Sequence, residues 1–95
     1  MEGKEIFLKM EMTDQEFDVL DELYFVQSYE FLVSEVDLEV EEIKEALQSL
    51  LEKKYIKCLS SMDEEVFEQE LDFENNYASY FYLATKAGLL VHNMN

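Results

Sequence analysis

Among side chains able to do chemistry, this sequence holds one histidine, one cysteine and many carboxylates. Catalysis or metal binding at His92 would need a second ligand or base close by, and its neighbours Val91, Asn93, Met94 and Asn95 supply none. The expected state is a solvated imidazole in a frayed tail. Cys58 sits in the apolar alternation Tyr55-Ile56-Lys57-Cys58-Leu59, where a thiol is buried and inert rather than nucleophilic. The run Asp72-Phe73-Glu74-Asn75-Asn76 starts like a calcium loop. Its sixth position is Tyr77 instead of Gly and its twelfth Leu83 instead of Glu, so the loop fails. Asp63-Glu64-Glu65 could hold a divalent cation weakly, and a solvated loop is the simpler reading. No HExxH, CxxC, Gly-rich phosphate loop or GxSxG is present. Carboxylates are so abundant that no pair stands out as a general acid and base. The residues therefore predict a protein that is not an enzyme, with no cofactor and no metal.

Charge is the stronger signal. Twenty-three acidic residues against seven basic ones give a net −16, and every basic residue is Lys. A chain without Arg lacks the bidentate guanidinium contacts that dominate phosphate and guanine recognition. A field this negative repels nucleic acid and anionic membranes and favours basic partners. With 48% hydrophobic and 14% aromatic residues the acidity does not imply disorder. Ninety-five residues suit one domain, spanning residues 1–95. The single Cys excludes an internal disulfide, and neither a signal peptide nor a run of roughly 18–20 apolar residues occurs. These features predict a cytoplasmic protein without membrane contact.

Several elements would have to position these residues. Lys4 to Met12 alternates like a strand with one buried face. Thr13-Asp14-Gln15-Glu16 has the form of a capping box opening a helix with Phe17, Val19, Leu20, Leu23 and Tyr24 inward. Ser28 can cap a short second helix to about Glu35, using Tyr29, Leu32, Val33 and Val36. The longest pattern runs from Asp37 to Leu59. There Val40, Ile43, Leu47, Leu50 and Leu51 form one helical stripe, ending at Lys53-Lys54 before a strand at Tyr55 to Leu59. Val66 to Glu74 alternates, Asn75-Asn76 suits a tight reversal, and Tyr77 to Leu83 reads as a return strand. A rival reading makes Met62 to Leu71 a helix capped by Ser61. Thr85 would cap a last short helix with Leu89, Leu90 and Val91 as its apolar side.

Three segments carry a family resemblance: MTDQEFDVLDELYF, VDLEVEEIKEALQSLLEKKYI and YFYLATKAGLL. The first is similar to the opening helix of winged helix-turn-helix domains of the prokaryotic MarR-like and PadR-like regulators. The second resembles their turn, recognition helix and first wing strand, and the third their return strand and closing helix. The resemblance implies an α+β winged helix: a three-helix core with a helix-turn-helix, an antiparallel β-wing and a short C-terminal helix. In DNA-reading members the third helix lies in the major groove. The matching positions here are Glu39, Glu41, Glu42, Lys44, Glu45, Gln48 and Ser49, and the wing carries Asp63, Glu64, Glu65, Glu68, Glu70, Asp72 and Glu74. Carboxylates on both elements, facing phosphates, reverse the counterion-release gain that supplies nonspecific affinity.

The expected function is accordingly an acidic winged-helix module for protein–protein interaction, regulatory or DNA-mimicking, that does not bind DNA directly. The candidate partner-binding face is Glu39, Glu41, Glu42, Glu45, Gln48, Ser49, Glu68, Glu70 and Asp72, set against a basic protein surface or a second copy of the chain. Two alternatives stand beside it. One is a sequence-specific DNA-binding transcriptional regulator that gathers Lys44, Lys53, Lys54, Lys57 and Lys86 into a local patch. The other is a small dimeric structural domain without a ligand, joined through exposed aromatics or the N-terminal strand edge.

Overall fold

The computed structural model of the chain describes residues 12–94. Thr13 and Glu16 close the expected capping box: the Glu16 N–H donates to Thr13 Oγ1 at 3.1 Å, and the Thr13 N–H donates to Glu16 Oε1 at 2.8 Å. Helix α1 (Asp14–Asp21) follows, then a two-residue strand β1 (Gln27–Ser28). Ser28 caps α2 (Tyr29–Glu35) by accepting from the Phe31 N–H at 3.1 Å. The central helix α3 (Val40–Glu52) buries Ile43, Ala46, Leu47 and Leu50 along one stripe. Full burial of each Leu or Ile there contributes about 2 kcal/mol.

The end of α3 is fixed by backbone geometry. The Tyr55 N–H donates to Leu50 O and the Lys54 N–H to Leu51 O, with Lys54 at φ 67°. This is a Schellman stop, with lysine in the left-handed position that glycine ordinarily fills. It turns the chain directly into β2 (Ile56–Ser61), which folds back as β3 (Glu64–Val66). A 3-10 turn (Glu68–Glu70) and a single-turn helix α4 (Phe73–Asn76) lead to β4 (Phe81–Ala84) and the closing helix α5 (Lys86–Met94). The described residues thus form an α+β structure with five α-helices and one antiparallel four-stranded sheet, ordered β1-β4-β2-β3. None of these helices is long and apolar enough to cross a membrane.

The sheet order corrects the expected wing hairpin. β4 pairs on one side with β2, Cys58 opposite Tyr82, and on the other with β1, Ser28 opposite Phe81. Both edges of β4 are therefore taken, so Val66 to Glu74 cannot also pair with it. Only Glu64–Val66 forms strand, against β2, and Asn75-Asn76 lies in α4 rather than in a reversal. The rival helix from Met62 to Leu71 does not form either: Met62 and Asp63 are the turn between β2 and β3. The alternation in this stretch arises instead from Leu71 and Phe73 reaching the core as partly buried residues while Phe67 stays exposed.

Other expectations divide the same way. Leu20, Leu23, Leu32, Val36 and Val19 are buried as read, but Tyr24, Val33, Val40 and Leu90 are exposed. Val40 opens α3 beyond the layer that covers Ile43 and Leu47, and Leu90 lies on the outer side of α5. Thr85 does cap α5: its hydroxyl accepts from the Gly88 N–H at 3.1 Å and donates to Lys54 O at 2.7 Å. The strand read at Lys4 to Met12 falls, apart from Met12, outside the described residues; Met12 itself is buried.

Candidate functional site: the acidic faces of α3 and the β3–β4 segment

Along α3, Glu41, Glu45, Gln48 and Glu52 fall at i, i+4, i+7 and i+11, opposite the buried stripe, and all four are exposed. Glu39 is exposed just ahead of them. Glu42 and Ser49 are turned toward α1 and half-buried. The Glu42 carboxylate accepts from the Glu39 N–H at 2.9 Å, which ties down the start of α3. Ser49 hydrogen-bonds the Glu16 carboxylate. Of the residues expected to face a partner, then, Glu42 and Ser49 have structural work, and Glu39, Glu41, Glu45 and Gln48 remain presented to solvent.

Glu68, Glu70 and Asp72 are all exposed on the segment between β3 and β4. This segment folds back along α3. Lys44 of α3 reaches Glu74 at 3.3 Å and sits 4.6 Å from the Tyr77 ring centroid, and Lys54 reaches Glu68 at 3.0 Å. Between α3, the β2–β3 hairpin and this segment lies an open groove of about 610 Å³, floored by Leu51, Val66, Leu71 and Phe73, with Phe67 and Lys54 at its rim. Asp72 also organises its own loop, accepting from Asn75 Nδ2 at 2.9 Å while its N–H donates to the Tyr80 hydroxyl at 3.1 Å.

Of the five lysines that would have to form a phosphate-binding patch, four are occupied by a carboxylate, while Lys86 lies exposed at the start of α5. Lys53 contacts Glu16 at 2.9 Å, Lys54 contacts Glu68, Lys57 contacts Glu65 at 3.4 Å, and Lys44 contacts Glu74. The exposed pairs contribute little stability. Their effect is electrostatic: the end of α3, the most basic stretch of the sequence, carries no excess positive charge.

Cys58 is buried and unpaired, and desolvation pushes its thiol up to about 12. An aromatic disulfide reagent at pH 8 should therefore leave the native protein unlabelled, with one thiol released per chain only on unfolding in denaturant. Rapid labelling of the folded protein would contradict this placement. Among the described residues no three His, Cys, Asp or Glu side chains converge as a metal site.

His92 departs most from its expectation. Its side chain is only 10% exposed and stacks on Phe17 with ring centroids 4.2 Å apart and planes 15° from parallel. Nδ1 is 2.7 Å from the Tyr24 hydroxyl. Nε2 lies 3.2 Å from Asp21 Oδ1 without hydrogen-bond alignment. The imidazole pins α5 onto α1 and is not a solvated tail, and α5 stays helical through Met94. Local sequence carries no sign of this, because Phe17, Asp21 and Tyr24 come from the opposite end of the chain.

Set beside known proteins, the chain matches no family model, no curated protein and no solved structure.

Proposed function

We propose that this chain is a winged-helix-like module for protein–protein interaction, whose acidic α3 and β3–β4 segment contact a basic protein surface and not DNA. The fold part of the reading is supported by the element order α1, β1, α2, α3 and β2. It is supported further by β4 returning between β1 and β2; in this reading α3 corresponds to the recognition helix and the β2–β3 hairpin to the wing. One observation carries the functional part. The outward line of α3 holds Glu41, Glu45 and Glu52, while Lys44, Lys53, Lys54 and Lys57 are all neutralised within the molecule. A duplex laid on α3 would meet carboxylates while the lysines of α3 and its end are already paired, and a basic protein would meet uncompensated negative charge.

Two measurements test this. Titration calorimetry against an Arg- and Lys-rich DNA-binding protein should detect binding that weakens at least about tenfold between about 0.05 and 0.3 M NaCl, as screening of exposed charge requires. Glu41→Gln combined with Glu45→Gln should reduce the affinity without changing stability. If duplex DNA competes for the same protein, the acidic face occupies a nucleic-acid site; if it does not, the contact lies elsewhere on the partner. A gel shift of duplex DNA by micromolar protein at low ionic strength would refute the reading and restore a DNA-binding regulator.

A further inference from the structure

The groove between α3, the β2–β3 hairpin and the β3–β4 segment joins two kinds of surface. Leu51 of α3, Val66 of β3, and Leu71 and Phe73 of the following segment line it, packed on the core yet only partly buried. Phe67 at its rim is 58% exposed. The wall formed by Leu71 and Phe73 is held from beneath. The Asp72 N–H between them donates to the buried Tyr80 hydroxyl at 3.1 Å, and the Phe73 ring packs on Tyr77 with centroids 5.5 Å apart. The groove is thus formed before anything enters it, which lowers the ordering cost of binding.

Shape and charge together select the occupant. Small-molecule sites enclose roughly 70–90% of their ligand, and this groove is open along its length. A partner strand has little to pair with, because the edge strand β3 is three residues long and runs straight into Phe67 and the 3-10 turn. The rim is acidic. Its two lysines are spent inside the molecule, Lys54 on Glu68 and Lys57 on Glu65. Glu52 lines the groove, and Glu64 and Glu70 lie beside lining residues; all three are exposed, and among the described residues no ion pair reaches them. An acidic segment would be repelled here, and a basic one attracted.

We propose that the groove takes a basic amphipathic helix of a partner protein, its large apolar side chains set on Leu51, Val66, Phe67, Leu71 and Phe73 and its Lys or Arg side chains meeting Glu52, Glu64 and Glu70. This is recognition of a helix by a groove, with apolar anchors at i, i+3, i+4 and i+7. The inference rests on the acidic-face reading and names the partner's chemistry. Gln48 and Glu52 belong both to the outward line of α3 and to the groove, so one ligand engages the two continuously. The carboxylates select a basic segment, and the floor rejects basic segments that lack an apolar face.

Fluorescence anisotropy with the full chain and two labelled peptides tests this. One peptide is built of Leu and Lys with the leucines at i, i+3, i+4 and i+7; the other has the same composition with the leucines spread around the helix. The first should bind at least about tenfold more tightly than the second. Phe67→Ala, at the exposed rim, should cut that preference about tenfold and leave the second peptide and the melting temperature unchanged. Glu52→Gln with Glu70→Gln should weaken both peptides. In nuclear magnetic resonance spectra the methyl signals of Leu51, Val66 and Leu71 should move with the first peptide and stay still with the second. Equal binding of the two peptides, or still methyl signals, would overturn the groove inference and leave the acidic-face reading standing. The same holds if neither peptide binds at about 0.05 M NaCl while the basic protein of the calorimetric titration does. Failure of the peptides and of that protein alike would remove both.

Discussion

Replacing Glu16 with alanine is expected to lower the free energy of unfolding by about 3 kcal/mol, the low end of the cost of breaking a buried ion pair. Glu16 is the one charged side chain among the described residues that is almost fully buried, and its carboxylate serves two elements. Oε1 accepts from the Thr13 N–H at 2.8 Å, and Lys53 Nζ reaches Oε1 and Oε2 at 2.9 and 3.1 Å. The substitution therefore removes the side-chain half of the α1 capping box and the bond from α1 to the end of α3 together, while Thr13 Oγ1 keeps the backbone N–H of residue 16. Lys53 is 31% exposed and can turn toward water, which keeps the loss at the low end.

The same residue sets a pH dependence. Burial alone would raise the Glu16 pKa. Hydrogen bonds from Lys53, Ser49 and the Thr13 backbone, with the Lys53 charge, outweigh it and hold the carboxyl below its usual value. The unfolded chain releases this proton near pH 4.3, so the stabilisation is complete above about that pH and disappears as pH falls through the depressed native value. Acidification also relieves the repulsion of a −16 chain, which acts in the opposite direction. The difference in unfolding free energy between wild type and Glu16→Gln isolates the first effect. That difference should be constant from about pH 7 to 5 and shrink below about pH 4. A difference that stays flat to pH 2.5 would mean that the carboxylate is not held ionised by Lys53.

Gly88→Ala is the second substitution expected to be costly. A Cβ at this position would overlap the Tyr55 carbonyl oxygen and lie 2.9 Å from the carbonyl carbon. The obstacle is backbone, and it cannot yield alone, because the same carbonyl accepts from the Thr85 N–H at 2.9 Å. Overpacking of this kind costs about 3 kcal/mol. Alanine in place of glycine inside a helix returns about 1 kcal/mol. The net loss, about 2 kcal/mol, corresponds to a fall in melting temperature of about 8–16 °C for a chain of this size. Urea unfolding monitored by tyrosine fluorescence would measure it. A variant as stable as wild type would mean that α5 can slide off Tyr55 without loss.

Local chemistry was readable in the sequence wherever the partners are close in the chain. The Thr13–Glu16 box, the Ser28 and Thr85 caps and the stripe through Ile43, Leu47 and Leu50 all join residues three or four apart, and each is found. Features that depend on distant partners were not readable. The segment from Val66 to Glu74 alternates like a strand, yet β4, its expected partner, is already paired with β1 and β2. His92 reads as a tail residue, yet Phe17 and Tyr24 enclose it. For the acidic surface, composition identified the exposed carboxylates of α3. It did not reveal that Glu42 serves the helix start, that Ser49 serves Glu16, or that each lysine near α3 has a carboxylate of its own.

The position of β4 has a consequence for how the protein is made. It is the last strand in the described chain and lies inside the sheet, so β1 and β2 cannot be joined until it has been synthesised. Ser28 waits for Phe81, a delay of roughly 3–10 s at ribosomal speeds of about 5–20 residues per second. During that interval the nascent chain carries the open edges of β1 and β2. Its dense carboxylates sit on that same stretch, ahead of β4, where mutual repulsion between neighbouring nascent chains keeps them apart until the sheet closes.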